Sequence, residues 1–289
     1  MKNAIIFPNL HIYLNPVYKK IDVFGFSIAY YGIVIAVGML FATFFILREA
    51  KRRRIKEDSI LDVIIYSIII GLIGARIYYV AFSWDLYKNN LLNIFDIRGG
   101  GIAIYGGIIA GFITGFIITK IKKLPFLKVS DICIIGLPLG QAIGRWGNFF
   151  NREAFGKYYD GLFSMQIPIS NVRSMTDVTK EMLSNAKVIS KETFISVHPT
   201  FLYESIGNFL IFLFLMYLRK RIKFNGQLLL TYMVLYGILR FFVESLRTDQ
   251  LLLWGTNIPV SKMLAGIIVV SSIILFIMLK IKRKHKAIK

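Results

Sequence analysis

Seven continuous apolar runs constrain this chain more than any other feature, because no soluble fold can bury all of them. They lie at about 23–47, 60–82, 102–119, 131–150, 201–218, 227–246 and 260–279, and each is near the roughly 20 residues a helix needs to cross ~30 Å of hydrocarbon. A helix on the surface of a soluble domain is apolar along one stripe only. With 56% hydrophobic residues in 289, the expected fold class is an all-α polytopic membrane protein with seven transmembrane helices. Basic residues cluster at Arg48 to Lys56, Lys120 to Lys128, Arg219 to Lys223 and Lys280 to Lys289, in every second connection. Positive charge in connecting segments marks the cytoplasmic side, so the N-terminus is expected outside and the C-terminus inside.

The formal charge of +20 therefore reports orientation. It is dispersed in short clusters instead of one basic face, so nucleic acid is not an expected partner and the bilayer is. The single cysteine, Cys133, and the scattered His11, His198 and His285 form no grouping at zinc spacing, so neither a metal nor a cofactor is expected. The first 25 residues lack the compact apolar stretch of a cleavable signal and are expected to stay in the mature protein. The chain is expected to form one membrane domain, 1–289, whose longest outside connection, 151–197, is either a small external cap or a mobile flap. Gly107, Gly111 and Gly115, and Gly136, Gly140 and Gly144, recur every four residues and are expected to pack helices closely.

A charged side chain at the centre of a membrane helix costs roughly 2.5–3.5 kcal/mol on insertion scales, so an intramembrane arginine calls for an explanation. Arg76, Arg145 and Arg240 lie in the second, fourth and sixth apolar runs, all in the expected outward half. Gln141, Arg145 and Asn148 share one helical face, as do Tyr236, Arg240, Glu244 and Arg247. Arg247, near the water boundary, also fits a snorkelling side chain, and Arg76, beside Tyr78 and Tyr79, also fits an interfacial belt. For Arg145 and Arg240, the carboxylates nearby look too few to neutralise the cations, so a bound anion is expected. The planar guanidinium fork suits phosphate, and the depth is that of a phospholipid headgroup.

At the same level stand Tyr31, Tyr105, Asn151, Glu153, His198, Tyr203 and Glu204. Singly, each has a plain explanation, such as a belt tyrosine or a histidine before a helix-entering proline. Together they suggest an outward-opening, phosphate-binding cavity with acid and base groups. A transporter for an anionic solute would use the same arginines but needs a matching polar set in the inner half. A phospholipid hydrolase or phosphotransferase needs a metal site or an activated serine. Neither signature is found.

The run from Gly144 to Gly156, GRWGNFFNREAFG, resembles the signature GRxGNFxNxExxG of the prolipoprotein diacylglyceryl transferases. Tyr31-Gly32, Gly74-Ala75-Arg76, Gly100 to Gly107, His198-Pro199 with Tyr203-Glu204, and Arg240 to Glu244 with Arg247 and Asp249 join it in order. The resemblance implies transfer of the diacylglyceryl unit of phosphatidylglycerol to the lipobox cysteine thiol of a prolipoprotein signal peptide, in the bacterial cytoplasmic membrane with the site toward the outer leaflet. It implies that Arg145 and Arg240 hold the phosphate, that Asn148 and Tyr31 orient the headgroup, and that Glu153, Glu244 and Arg247 fix the arginines or the thiol. Arg76, Asn151, Gly156, His198 and Glu204 complete the implied substrate-binding set. Tyr105 stands where many family members carry histidine before a Gly-Gly pair; it is expected to donate a hydrogen bond to phosphate or sulfur. Ser261-Lys262 departs from the family's small residue followed by glutamine.

Overall fold

Apolar side chains need lipid on one side and protein on the other, and the backbone of such a segment must satisfy its own hydrogen bonds. A computed structural model describes the chain except residues 97–99, 254, 257 and 289 and the side chains of 283–288. Among the described residues, seven helices are long and apolar enough to cross a membrane. They are α1 (Tyr30–Arg52), α2 (Glu57–Phe82), α3 (Ile104–Ile121), α4 (Phe126–Asn151), α6 (Thr200–Leu218), α7 (Gln227–Glu244) and α8 (Val260–Ile288), and a short α5 (Lys180–Ser184) lies apart from them. Their large apolar residues are widely exposed, Ile108 by 61% and Leu210 by 59%, as lipid-facing surfaces require.

The first apolar run holds a correction. It was expected to become helical from about residue 23, yet helix begins at Tyr30, and the preceding residues form an antiparallel hairpin, β3 (Lys20–Val23) with β4 (Phe26–Ala29). Both turn residues, Phe24 (φ 48°) and Gly25 (φ 82°), are left-handed, the geometry a two-residue hairpin demands. Hydropathy alone does not separate a short apolar strand from the start of a helix.

The chain divides into two compact units, one of Met1–Ala42 with Ile134–Lys289 and one of Thr43–Cys133. In the first, the connection 151–197 carries three strands and the short α5, and is termed the cap below. Its sheet has the order β2-β1-β5-β7-β6, built from β1 (Ile5–Phe7), β2 (Ile12–Leu14), β5 (Met165–Pro168), β6 (Lys187–Ile189) and β7 (Glu192–Val197). β5 pairs with β7 from Met165↔Val197 to Pro168↔Phe194, and β1 joins at Ile6↔Gln166. The N-terminal residues are thus structural members of the cap. Its core of Ile5, Phe7, Val17, Phe155, Met165, Ile167, Met182, Ile195 and Val197 is continuous with Phe149 of α4 and Phe201 of α6, whose rings stand 5.1 Å apart. Burial of this cluster seats the cap on the two helices that flank it in sequence.

In the second unit, α2 and α3 pack through small residues. A Cβ on Gly74 would come within 2.3 Å of Ala110 Cβ, and one on Gly106 within 2.3 Å of Tyr78 Cβ. Gly107 and Gly111 lie on the same seam, with a virtual Cβ 3.4 Å from Gly71 O and 3.3 Å from Ser67 O. In α4, Gly140 faces Gly38 of α1 in the same way, but Gly144 meets nothing within 4 Å, so close packing accounts for one of these glycines and not the other. At the basic end of the second unit, the wholly buried Glu49 pairs with Arg52 (2.5 Å) and Arg53 (2.7 Å), and Arg53 reaches buried Asp131 at 3.5 Å.

Candidate active site

The arginines expected to carry the site sit in a carboxylate lattice contributed by three helices. α4 presents Gln141, Arg145 and Asn148; α7 presents Tyr236, Arg240 and Glu244; α6 supplies Glu204 from its second turn. Ser205 Oγ donates to Ala142 O and Tyr232 Oη to Gln141 Oε1, both at 2.8 Å, tying α6 and α7 to α4. Glu204, 1% exposed, meets three guanidinium groups: Arg145 Nη2 at 2.5 Å, Arg240 Nη1 at 2.8 Å and Arg247 Nη1 at 3.7 Å. Arg240 Nη2 lies 2.5 Å from Glu244 Oε2, an ion pair by distance without hydrogen-bond alignment. Arg247 forks onto Asp249 with bonds of 2.8 and 2.5 Å.

Three guanidinium groups therefore face three carboxylates, which corrects the expectation that the cations lack counter-charge. The shortfall arose because Glu204 and Asp249 are distant in sequence from Arg145, and only the fold brings them in. Burial raises the Asp249 carboxyl, but its bonds to Arg247 override that and hold it below the usual carboxylate range. Burial likewise works against the Arg247 cation, and Asp249, Glu204 and Glu244 more than compensate. A balanced lattice cannot rest on charge deficit; what it provides is preorganisation, with Arg145 and Arg240 held at fixed points while their side chains stay 22% and 17% exposed.

A second group gathers where α4 meets the cap. Gly147 lets the ring of Tyr31 lie against α4, since a Cβ there would stand 2.6 Å from Tyr31 Cδ2. Asn148 Nδ2 donates to Glu153 Oε1 at 3.0 Å, and Glu153 N donates to Asn148 O at 3.2 Å. Asn151 closes α4 between them. The other Glu153 oxygen pairs with Arg173 of the cap. Gly156 is a crossing point: its N–H donates to His198 O at 3.0 Å, it bridges to Arg247, and a Cβ would meet His198 Cβ at 2.7 Å and Leu246 O at 2.9 Å. His198 stacks on Tyr159 at 3.9 Å and has Nδ1 3.3 Å from Tyr203 Oη, and burial lowers its pKa. Gly156 and His198 thus brace the cap against the end of α7.

Arg76 and Tyr105 belong to the second unit. Tyr105 is the second residue of α3. Arg76, 6% exposed, has every guanidinium N–H donated to backbone: Nε to Ile94 O (2.8 Å), Nη1 to Gly100 O (2.8 Å) and Gly101 O (2.7 Å), Nη2 to Asn93 O (2.6 Å) and Asp96 O (2.9 Å). Tyr87 adds its ring face 5.1 Å away. These bonds engage all five guanidinium N–H groups with the carbonyls of Asn93, Ile94, Asp96, Gly100 and Gly101, an arrangement that favours a structural role over the expected substrate contact.

A family model described as prolipoprotein diacylglyceryl transferase matches residues 18–278. The phosphatidylglycerol–prolipoprotein diacylglyceryl transferase of Finegoldia magna is 46% identical over 269 residues, covering 93% of this chain and 96% of that protein. The enzyme of the same name from Clostridioides difficile is 46% identical over 91% of this chain and 95% of its own length, and that from Listeria innocua 40% over 93% and 91%. This chain belongs to the prolipoprotein diacylglyceryl transferase family. The residues through which the sequence resembles that family, from Tyr31 to Asp249, are those the fold gathers in the first unit, apart from the segments around Arg76 and Tyr105. Three charged residues that the fold gathers at the end of α4 received no role in the sequence reading: Lys19, Arg152 and Arg173. Arg152 lies inside the signature run, but Lys19 and Arg173 sit in irregular segments where no periodicity marks a shared face.

Proposed function

We propose that this membrane protein transfers the diacylglyceryl group of phosphatidylglycerol to the lipobox cysteine thiol of prolipoproteins, in the bacterial cytoplasmic membrane and at the outer leaflet. The observation that carries the reading is the convergence of Arg145 and Arg240 on one buried carboxylate, Glu204, in a chain of this family. In the reaction the thiol sulfur forms a bond to the glycerol carbon of the lipid, the carbon–oxygen bond to phosphate breaks, and glycerol 1-phosphate leaves with the oxygen and the bonding pair. The thiol proton leaves with a base or with the phosphate. Negative charge grows on the departing phosphate, so the catalytic demand is for cations already in position and shielded from water.

Arg145 and Arg240 meet that demand as paired forks whose positions Glu204 and Glu244 hold. A positioning carboxylate limits the reorganisation needed when phosphate arrives, which is where preorganised sites gain rate. Asn148 and Tyr31, packed around Gly147 and Glu153, orient the headgroup, and Glu153, just after α4, is the carboxylate placed to accept the thiol proton. Asn151, Gly156, His198 and Arg247 hold the frame that links the cap to α7.

Purified protein incubated with phosphatidylglycerol and a lipobox peptide should yield the diacylglyceryl thioether by mass spectrometry, with one glycerol 1-phosphate released per thioether. In sealed right-side-out vesicles, peptide supplied from outside should be modified. Absence of thioether with correctly folded protein refutes the activity, and modification only in inverted vesicles refutes the outward site.

A further inference from the structure

Three segments of the first unit close into a ring at the junction of α4 and the cap. Arg152, 1% exposed, donates from Nη2 to Val17 O (2.6 Å) and Asn3 O (3.1 Å) and from Nη1 to Phe150 O (3.1 Å). Two residues after Val17, Lys19 Nζ donates to Asn171 O at 2.8 Å. Two residues after Asn171, Arg173 pairs with Glu153, next to Arg152. Each segment contributes one cation, and the carboxylate bonded within the ring is Glu153.

This is the opposite of the lattice around Glu204, where charges balance. Here Arg173 pairs with Glu153 and Lys19 is drawn to the same carboxylate, while Arg152 bonds to carbonyls and its Nε is buried without a hydrogen-bond partner. Asp177 lies further along the cap loop and divides its influence between Arg173 and Arg247, while burial and Asp249 push its carboxyl up. Burial and the neighbouring Arg152 and Arg173 push the Lys19 ammonium down, against the pull of Glu153, and burial lowers Arg152 to about 10. Burial is thus the first cause for Lys19 and the cause for Arg152, with neighbouring cations adding to it at Lys19, whereas the bond to Glu153 raises Arg173.

We infer that Lys19 and Arg173, backed by Arg152, form a second anion site for a phosphate group, separate from the Arg145–Arg240 pair. Arg173 has a fork of which one arm is engaged by Glu153 and a side chain 66% exposed, and Lys19 supplies a compact point charge; together they suit phosphate oxygens. The inference rests on the proposed transferase reading for the source of that phosphate. One source is the departing glycerol 1-phosphate, a water-soluble dianion that must leave toward water past the cap. The other is the headgroup phosphate of a phospholipid on its way in.

The test uses the full chain in detergent, titrated with inorganic phosphate and with glycerol 1-phosphate by isothermal calorimetry, and in a second arm with short-chain phosphatidylglycerol. Lys19→Gln/Arg173→Gln should weaken binding at least 10-fold in one or both arms relative to the wild type, while Lys19→Arg/Arg173→Lys should bind within about threefold of it. Weakening confined to the soluble arm assigns the site to the leaving group, and weakening confined to the lipid arm assigns it to the incoming headgroup. Unchanged binding in both arms by a double variant whose circular dichroism and melting temperature match the wild type overturns the site. The single variant Arg173→Gln gives the same decision if the double variant does not fold, because Arg173 is exposed. Binding requires no turnover, so loss of the proposed activity and loss of the site are separable results.

Discussion

Arg76 and Arg145 look alike along the chain, each an arginine in an apolar helix after a glycine or alanine, yet the fold gives them opposite partners. Arg76 faces five backbone carbonyls and an aromatic ring, so its donors are consumed. Arg145 shows one ion pair, to a carboxylate that also holds Arg240. The lesson is that burial of a cation in a membrane helix identifies a costly residue without saying why the cost is met. Carbonyl partners neutralise nothing and build structure. Shared carboxylates fix a charge in place while leaving part of it to act.

The comparison is broken most directly by exchanging the fork for a point charge. Arg145→Lys should lower thioether formation on the order of 10²-fold or more at equal membrane abundance, because lysine keeps the charge and loses the bidentate geometry. Arg76→Met should do the reverse. It leaves five carbonyls without donors, at about 1–3 kcal/mol for each that finds no water, so the melting temperature should fall markedly while activity per folded molecule stays within about threefold. A stable but inactive Arg76→Met protein would return Arg76 to the substrate site, and near wild-type activity in Arg145→Lys would reduce Arg145 to charge balance.

A sharper comparison sets Tyr105 in the second unit against the carboxylates of the first. If Tyr105 acts as a hydrogen-bond donor, Tyr105→His should keep most of the activity and Tyr105→Phe should lose roughly 10-fold, since only the latter removes the donor. The measurement is thioether yield for both variants across pH. Full activity in Tyr105→Phe would leave ring packing as its explanation.

The smallest effect is expected at Asp249. Its folded pKa is depressed below the ordinary 3.8, so its pairing with Arg247 contributes stability that is present above the unfolded pKa and is lost as pH falls through the folded value. In Asp249→Asn the protein should be less stable at neutral pH, by on the order of 1 kcal/mol for this partly exposed pair. The gap to wild type should close below about pH 4. A pH-independent difference between the two melting profiles would show that Asp249 acts through packing.

Much of this protein was legible before any coordinates. Seven spans follow from hydropathy because lipid imposes one requirement on every crossing segment, and the proposal of Arg145, Glu153, Glu204 and Arg240 as site residues comes from a long signature and from the expense of intramembrane charge. Periodicity also placed Gln141, Arg145 and Asn148 on one face, since helical spacing is a local property. What the tertiary structure alone decided is everything that depends on partners distant in sequence. It balanced Arg145 and Arg240 with Glu204, committed Arg76 to carbonyls, and turned residues 20–29 into a hairpin. It also drew the N-terminus into the cap and met Glu153 with Arg173, twenty residues further along the chain. Charge and hydrogen bonding act over a few ångströms of space, and the sequence records proximity only where a helix repeats it.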